Sequence, residues 1–282
     1  MEGVDYRNFD YVVNKLRIFF REVKGYKEVH TQNKLSILAA CEDPQTIATY
    51  NYNGNVWPLP QTGQMWLEHY LLEHPEEKGF FCVSTSYRNE PNPVPGRHDK
   101  IFPMFEFELR GGMDELRKVE QELLDYLGFR KTDGKYPADS YDKICEKYSV
   151  DELEHEHETL LEKDYGPVFF LENFPERTSP FWNMKQQENK THSNKIDVII
   201  HGIETIGSAE RSVCKEEMKE KFNTISDGGY ANILFAQFGK ERVEKELEEF
   251  LKKDFFERSG GGIGMTRIIR AMKLSNLLPQ IH

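Results

Sequence analysis

The sequence predicts an α+β fold in which one antiparallel sheet is flanked by helices. Three observations carry this. Strand-like segments follow one another through short turns, amphipathic helical segments lie at both ends, and no internal repeat or low-complexity linker divides the 282 residues. We therefore expect residues 1–282 to form one domain, with 130–165 as a variable helical region inside it. Composition bounds the function. There are 37 Lys and Arg against 48 Asp and Glu, for a formal charge of -11. No segment approaches the roughly 20 apolar residues that a membrane helix needs. The start, MEGVDYRNF, has neither a basic nor an apolar leader region, so a cytoplasmic protein without a membrane is expected. Cys41, Cys82, Cys145 and Cys214 form no C-x-x-C pair, which points to neither a zinc site nor a disulfide framework. The acidic balance argues against extended nucleic-acid binding, which draws most of its affinity from phosphate neutralisation.

The elements follow in order. Apolar residues from Phe9 to Val23 recur every 3.6 residues, so 8–23 is an amphipathic helix, and 27–31 is a short strand. Residues 62–73 are helical and end at His74-Pro75. A strand over 80–87 leads into NEPNPVPGRHD at 89–99, whose prolines suit only a loop. In the returning strand, Phe102, Met104, Glu106 and Glu108 share one face, and Phe105, Phe107 and Leu109 share the other. One face is thus buried and two carboxylates stand on the opposite one. Residues 113–127 are helical, and 131–163 are charged and helical in places. The EHEHE run places His155 and His157 at i, i+2 on different faces of a helix, which reads as a solvated charged face rather than a metal site.

Strands are expected at 167–173, 196–200 and 203–206, the last two joined by His201-Gly202. If that pair is a tight turn, Ile199 faces Glu204, and Asp197 and Glu204 become diagonal neighbours on one face. Diagonal Cβ atoms lie about 7 Å apart, close enough for two carboxylates to share a divalent cation, although the same pattern also suits two acids facing water. Helices are expected at 215–221 and 241–253, with a loop at 227–229. Finally SGGGIG at 259–264 precedes an apolar-periodic helix over 265–278. Glycines opening a helix let a ligand approach the backbone, although neither Walker nor G-x-G-x-x-G spacing is present.

Three features now stand in order: Arg88-Asn89-Glu90 before the proline-rich loop; Asp197, Glu204 and Arg211 at equal spacings of seven; and GGGIGMTR ending in Arg267. This order resembles the catalytic core of the class II aminoacyl-tRNA synthetases, whose motif 2 is strand, Arg-x-Glu, loop and strand, and whose motif 3 is a Gly-rich turn ending in Arg. Within the class it is most similar to the aspartate/asparagine group, through Asp197-Glu204-Arg211, GSAER, and PQTGQMWLE at 60–68. Helix 8–23 with EVHT resembles motif 1.

The resemblance implies an ATP-dependent ligase that activates Asp or Asn as an aminoacyl adenylate with release of pyrophosphate. In-line attack of a carboxylate on the α-phosphate gathers negative charge, so cations should dominate the centre. By the resemblance, Arg88 holds the α-phosphate and substrate carboxylate and Arg267 the γ-phosphate. Glu90 meets the adenine amino group, Phe102 stacks on the base, and Arg97 or His98 touches the terminal phosphates. Gly262 and Gly264 lie against ATP, and Asp197 with Glu204 holds Mg2+. Gln64 and Glu106 lie near the α-ammonium, and Arg211 near the end of the amino-acid side chain, where it suits Asp or Asn. The aspartyl enzymes carry Lys where Leu67 stands, which leans the reading towards a neutral side chain.

Departures are also legible. Gln32 replaces the usual motif 1 proline, Ile101 an acid, and the N-terminal OB-fold of the group is expected to be missing. The resemblance implies a homodimer through the N-terminal helix and strand, and the acidic charge disfavours tRNA. The first expectation is therefore a non-tRNA acceptor such as ammonia, as in the synthetase-related asparagine synthetases with their similar GGGIG motif. The alternatives are a tRNA-charging ligase without an anticodon-binding domain, and a non-catalytic sensor of amino acid or nucleotide.

Overall fold

Asp5 opens the first helix by accepting from the backbone N–H groups of Arg7 and Asn8 at 3.0 and 2.9 Å. The helix, α1 (Tyr6–Ile18), runs into a π turn, Phe19–Val23, that keeps the adjacent Phe19 and Phe20 both buried. The computed structural model describes residues 4–31, 35–37, 44–93 and 99–279. Gln32, Arg97 and His98, to which the sequence reading gave roles, lie outside them.

The strands are β1 (Lys27–Glu28), β2 (Thr49–Tyr52), β3 (Asn55–Pro58), β4 (Gly79–Tyr87), β5 (Ile101–Arg110), β6 (Ala138–Ser140), β7 (Val168–Pro175), β8 (His192–Ile200), β9 (Ile203–Glu210) and β10 (Arg258–Gly264). Eight of them form one sheet in the order β1-β4-β5-β10-β9-β8-β7-β6. Its interior pairs are antiparallel, and only the short edge strands β1 and β6 pair in parallel. The expected strand at 27–31 shrinks to two residues. The region 130–165 contains β6 besides α4 (Tyr141–Tyr148) and α5 (His155–Tyr165). In α5, His157 caps the Glu154 backbone N–H at 2.9 Å, so it closes a helix end.

The period-two reading of β5 holds: Phe105, Phe107 and Leu109 join the main apolar core with α1, α3 (Met113–Leu127) and α9 (Met265–Leu274). The other sheet face forms a cleft. Its sides are α2 (Gln64–Glu73) and a lobe of α6 (Lys215–Thr224), α7 (Gly229–Phe238) and α8 (Lys240–Leu251), which has its own core around Trp182, Phe222 and Tyr230. The expected loop at 227–229 ends in α7, and the hairpin β2–β3 turns on Asn53-Gly54.

Two differences matter for the site. The glycine run was expected to be a flexible turn, yet it is the central strand β10, paired with β5 and β9. Space explains this, since none of Gly260, Gly261 and Gly262 has positive φ. A Cβ on Gly260 would overlap the Glu108 carboxylate and the Phe107 carbonyl, one on Gly261 would lie 2.8 Å from the Gly207 carbonyl, and one on Gly262 2.7 Å from Met104 Cε. The second difference is in the β8–β9 hairpin. Ile199 does face Glu204, but a bulge follows and Asp197 faces Gly207. The extra residue keeps Glu204 on the cleft face while Ile206 returns to the core opposite Val198.

Candidate active site

The register defines the cleft floor. One row across the sheet reads Cys82, Glu106, Gly262, Gly207, Asp197, and the next reads Phe80, Glu108, Gly260, Ala209, Lys195. Glycines fill the middle and charged residues stand on either side. Above them lies a cavity of about 490 Å³ lined by Arg88, Glu90, Phe102, Met104, Glu204, Gly262, Gly264 and Arg267, among others. A smaller cavity of about 90 Å³ continues from it, shares Arg88, Met104, Glu204, Gly207 and Gly262, and adds Gln64, Glu106, Lys195 and Arg211. Of the residues assigned to ATP, Arg88, Glu90, Phe102, Glu204, Gly262, Gly264 and Arg267 thus line one chamber, and Gln64, Glu106 and Arg211, assigned to the amino acid, line the adjoining one.

In the large chamber, Arg88 is fixed by its backbone, which donates to the Lys100 carbonyl at 2.7 Å, and its guanidinium lies 5.6 Å from the centre of the Phe102 ring. Arg267, on the first turn of α9, donates to the Glu204 backbone carbonyl at 2.8 Å and lies 3.6 Å from its carboxylate. Both groups are about one-third exposed, so they can exchange partners when an anion arrives.

The walls of the small chamber are buried or half-buried and held by hydrogen bonds. Glu106 accepts from Thr62 Oγ1, Ser84 Oγ and the Gly63 N–H. Arg211 donates Nε and Nη2 to Glu108, each at 3.1 Å, and Arg258 donates to Glu68 at 2.7 and 2.9 Å. Glu68 also accepts from Gln64 and Asn183. These four charged groups are at most 2% exposed. Burial works to raise the Glu68 carboxyl, but Arg258 and Arg211 outweigh it and hold the group below the usual range. Burial pushes Glu108 up to about 7, only partly opposed by Arg211.

The expected cation pair is brought together only in part. Glu204 lines the cavities, whereas Asp197 is buried and its Oδ2 lies 3.1 Å from Lys195 Nζ. Both carboxylates approach the space above Gly207, where a Cβ would meet Glu204 Oε1 at 2.7 Å and Asp197 Oδ1 at 3.6 Å. No group of three or more acids, His or Cys converges among the described residues. Two carboxylates beside a phosphate chamber do fit Mg2+, which usually takes one or two protein carboxylates plus phosphate oxygens.

Leu67 is fully buried and packs with Leu71, Phe80 and Cys82, as an ordinary core residue of α2 would. Ile101 is exposed at the cleft rim. Sequence reasoning missed Glu68, Asn183, Lys195 and Arg258. Glu68 had a signal, one helical turn after Gln64, and so had Lys195, two residues before Asp197 on the same strand face. Arg258 and Asn183 reach Glu68 from 190 and 115 residues away, and no local pattern announces them.

Several known proteins are similar to this chain. The family model described as tRNA synthetases class II (D, K and N) matches residues 7–277. An aspartate–tRNA(Asp) ligase of Pyrobaculum aerophilum is 33% identical over 279 residues, covering 88% of this chain and 59% of that protein. A cytoplasmic aspartate–tRNA ligase of Bos taurus is 22% identical, over 88% of this chain and 54% of its own. Thus the chain spans little more than half the length of these relatives. Among solved structures, an asparaginyl-tRNA synthetase from Pyrococcus horikoshii complexed with asparaginyl-adenylate superposes with a TM-score of 0.77 at 19% identity, over 94% of this chain and 64% of that one. A putative aspartyl-tRNA synthetase from Leishmania major gives 0.72 at 16%, over 96% and 62%.

Proposed function

The chain belongs to the class II tRNA synthetases (D, K and N), and from this membership we propose that it activates aspartate or asparagine with ATP, forming an aminoacyl adenylate and releasing pyrophosphate. The observation that carries the reading is the joined pair of chambers: a carboxylate cradle, Glu106, in the small one, and the guanidiniums of Arg88 and Arg267 in the large one. We read residues 1–282 as one catalytic domain.

Each group has a physical task. Glu106, held by three neighbours, would accept from the α-ammonium, with Gln64 beside it. Arg88 lines both chambers and can bind the substrate carboxylate and the α-phosphate together, reducing their mutual repulsion. Glu90 would accept from the adenine amino group while Phe102 stacks on the ring. Gly262 and Gly264 let the nucleotide lie on the backbone, and Arg267 would leave Glu204 for the γ-phosphate. Asp197 and Glu204 would hold Mg2+, which neutralises the phosphates when bound. Arg97 and His98 keep their proposed contact with the terminal phosphates.

For the acceptor, the relatives' names favour tRNA over ammonia. They remove support for the expectation, drawn from net charge, that tRNA is disfavoured. The word cytoplasmic in the bovine relative's name supports a cytoplasmic location, and no helix among the described residues is long and apolar enough to cross a membrane. Exposed Tyr6, Ile18 and Val23 on the N-terminal helical segment support a homodimer there.

A pyrophosphate-exchange assay across the amino acids tests the reading. Exchange with Asp or Asn is expected, and exchange with no amino acid would sink it. Charging of tRNA against ammonia-dependent AMP release then selects the acceptor.

A further inference from the structure

The small chamber holds a cation that the proposed chemistry leaves without a task. Lys195 stands on β8 opposite Ala209, on the same face as Asp197 and one row further from the phosphate chamber. Its ammonium lies 3.1 Å from Asp197 Oδ2 and 4.2 Å from the centre of the Phe174 ring, and its side chain is 14% exposed. Asp197 and Phe174 together hold a flexible side chain in one place, at the wall of the chamber that also contains Arg211 and Gln64.

Position along the sheet decides what Lys195 can reach. Arg88 and Phe102 mark the nucleotide end of the cleft, Glu106 and Asp197 share the middle row, and Lys195 shares the next row with Glu108. Arg211 lies two residues beyond Ala209, just past the end of β9 where it bridges Met184, and it lines the same small chamber as Lys195. An amino acid whose ammonium rests on Glu106 and whose carboxylate points to Arg88 would place its side chain within reach of both. Arg211 enters the chamber paired with Glu108 and Lys195 paired with Asp197, and burial raises Glu108 towards its neutral form, so the two cations together outweigh the charge of their partners. A side-chain carboxylate would supply the remaining charge.

We propose that Lys195 is a specificity-determining residue that, with Arg211, selects an amino acid with a carboxylate side chain, of the aspartate class, over its amide. The inference rests on the synthetase reading and deepens it. It also reverses the lean that Leu67 gave the sequence: the cation is present, but it comes from the sheet instead of the helix.

The test compares pyrophosphate exchange with aspartate and with asparagine in the wild type, Lys195→Met and Lys195→Arg. Wild type should favour aspartate. Lys195→Met should lower that preference about tenfold or more, chiefly through KM for aspartate, and Lys195→Arg should keep part of it. A preference unchanged in Lys195→Met, or equal losses with both amino acids, would overturn the proposal, since equal losses belong to a phosphate or metal role. Wild-type preference for asparagine would overturn it as well, while leaving the synthetase reading intact. Calorimetric titration with each amino acid without ATP makes the reverse case visible: Lys195-dependent aspartate binding without exchange would sink the synthetase reading and retain the pocket assignment.

Discussion

Buried carboxylates occupy both faces of the central sheet, and Glu120 contrasts with the rest: even on its own face Glu172 accepts from Arg117, and Glu210 from Lys185 and Asn194. On the cleft face Glu68 and Glu108 are each gripped by an arginine, and Glu106 by hydroxyls and a backbone N–H. On the helix face Glu120 of α3 is fully buried and neither oxygen has a hydrogen-bond partner among the described residues. Ser208 lies near it but donates its hydroxyl to the Ile196 carbonyl at 3.3 Å. Burial pushes Glu120 up to about 8, with the charges of Glu172 and Asp197 adding to it. A buried carboxylate with a cation beside it is offset at least in part by pairing, and one without such a partner favours its protonated form.

The largest test of this contrast is Arg258→Met, which takes from buried Glu68 its bidentate partner and leaves it Gln64, Asn183 and, at 3.9 Å, Arg211. We expect a loss of ~3–5 kcal/mol in urea unfolding; a loss under ~1 kcal/mol would mean that pairing does not hold the cleft face together. Next is Arg267→Ala at the open end, where pyrophosphate exchange should fall by ~10²–10³ while the urea midpoint stays near wild type. Retained exchange would remove Arg267 from the phosphate site. Gly260→Ala forces a methyl group against the Glu108 carboxylate and should cost ~1–3 kcal/mol, with unchanged unfolding as the contrary result.

The smallest test is a slope with pH. Glu120 binds its proton more tightly folded than unfolded, because its folded pKa of about 8 exceeds the ordinary value of 4.5. Its contribution is therefore full below the ordinary value and is lost as pH rises towards 8, by up to ~1 kcal/mol per pH unit. Glu120→Gln should flatten that slope, and an unaltered slope would show that Glu120 is ionised throughout.

Much of this was legible because it repeats locally. The period of two in β5 gave both its core face and its carboxylate face, and the His201-Gly202 turn fixed the pairing of Ile199 with Glu204. The bulge beyond that pair was not legible, since it answers to Gly207 and its neighbours across the sheet. Nor was β10, because glycines carry no hydrophobic period and owe their place to the strands beside them. The α7 segment GYANILFAQF is apolar on most sides and opens with glycine, which hid its helix, whereas Asn53-Gly54 was a usable hairpin signal left unread. In the site, motif order located Arg88, Glu90, Phe102 and Arg267 in one chamber. Leu67, which leaned the reading towards a neutral side chain or else to an ordinary core position, is found in the core.

The glycine strand has one more consequence. A run of glycines normally marks the chain segment that moves most freely, yet each residue from Ser259 to Ile263 is paired on both sides at the middle of the sheet. Its amides should therefore exchange with solvent deuterium only when the whole sheet opens, as slowly as any in the molecule. Over Gly260 and Gly262 the substrate would rest on backbone with no side chains to rearrange, and rotamer adjustment on binding is left to the residues around them.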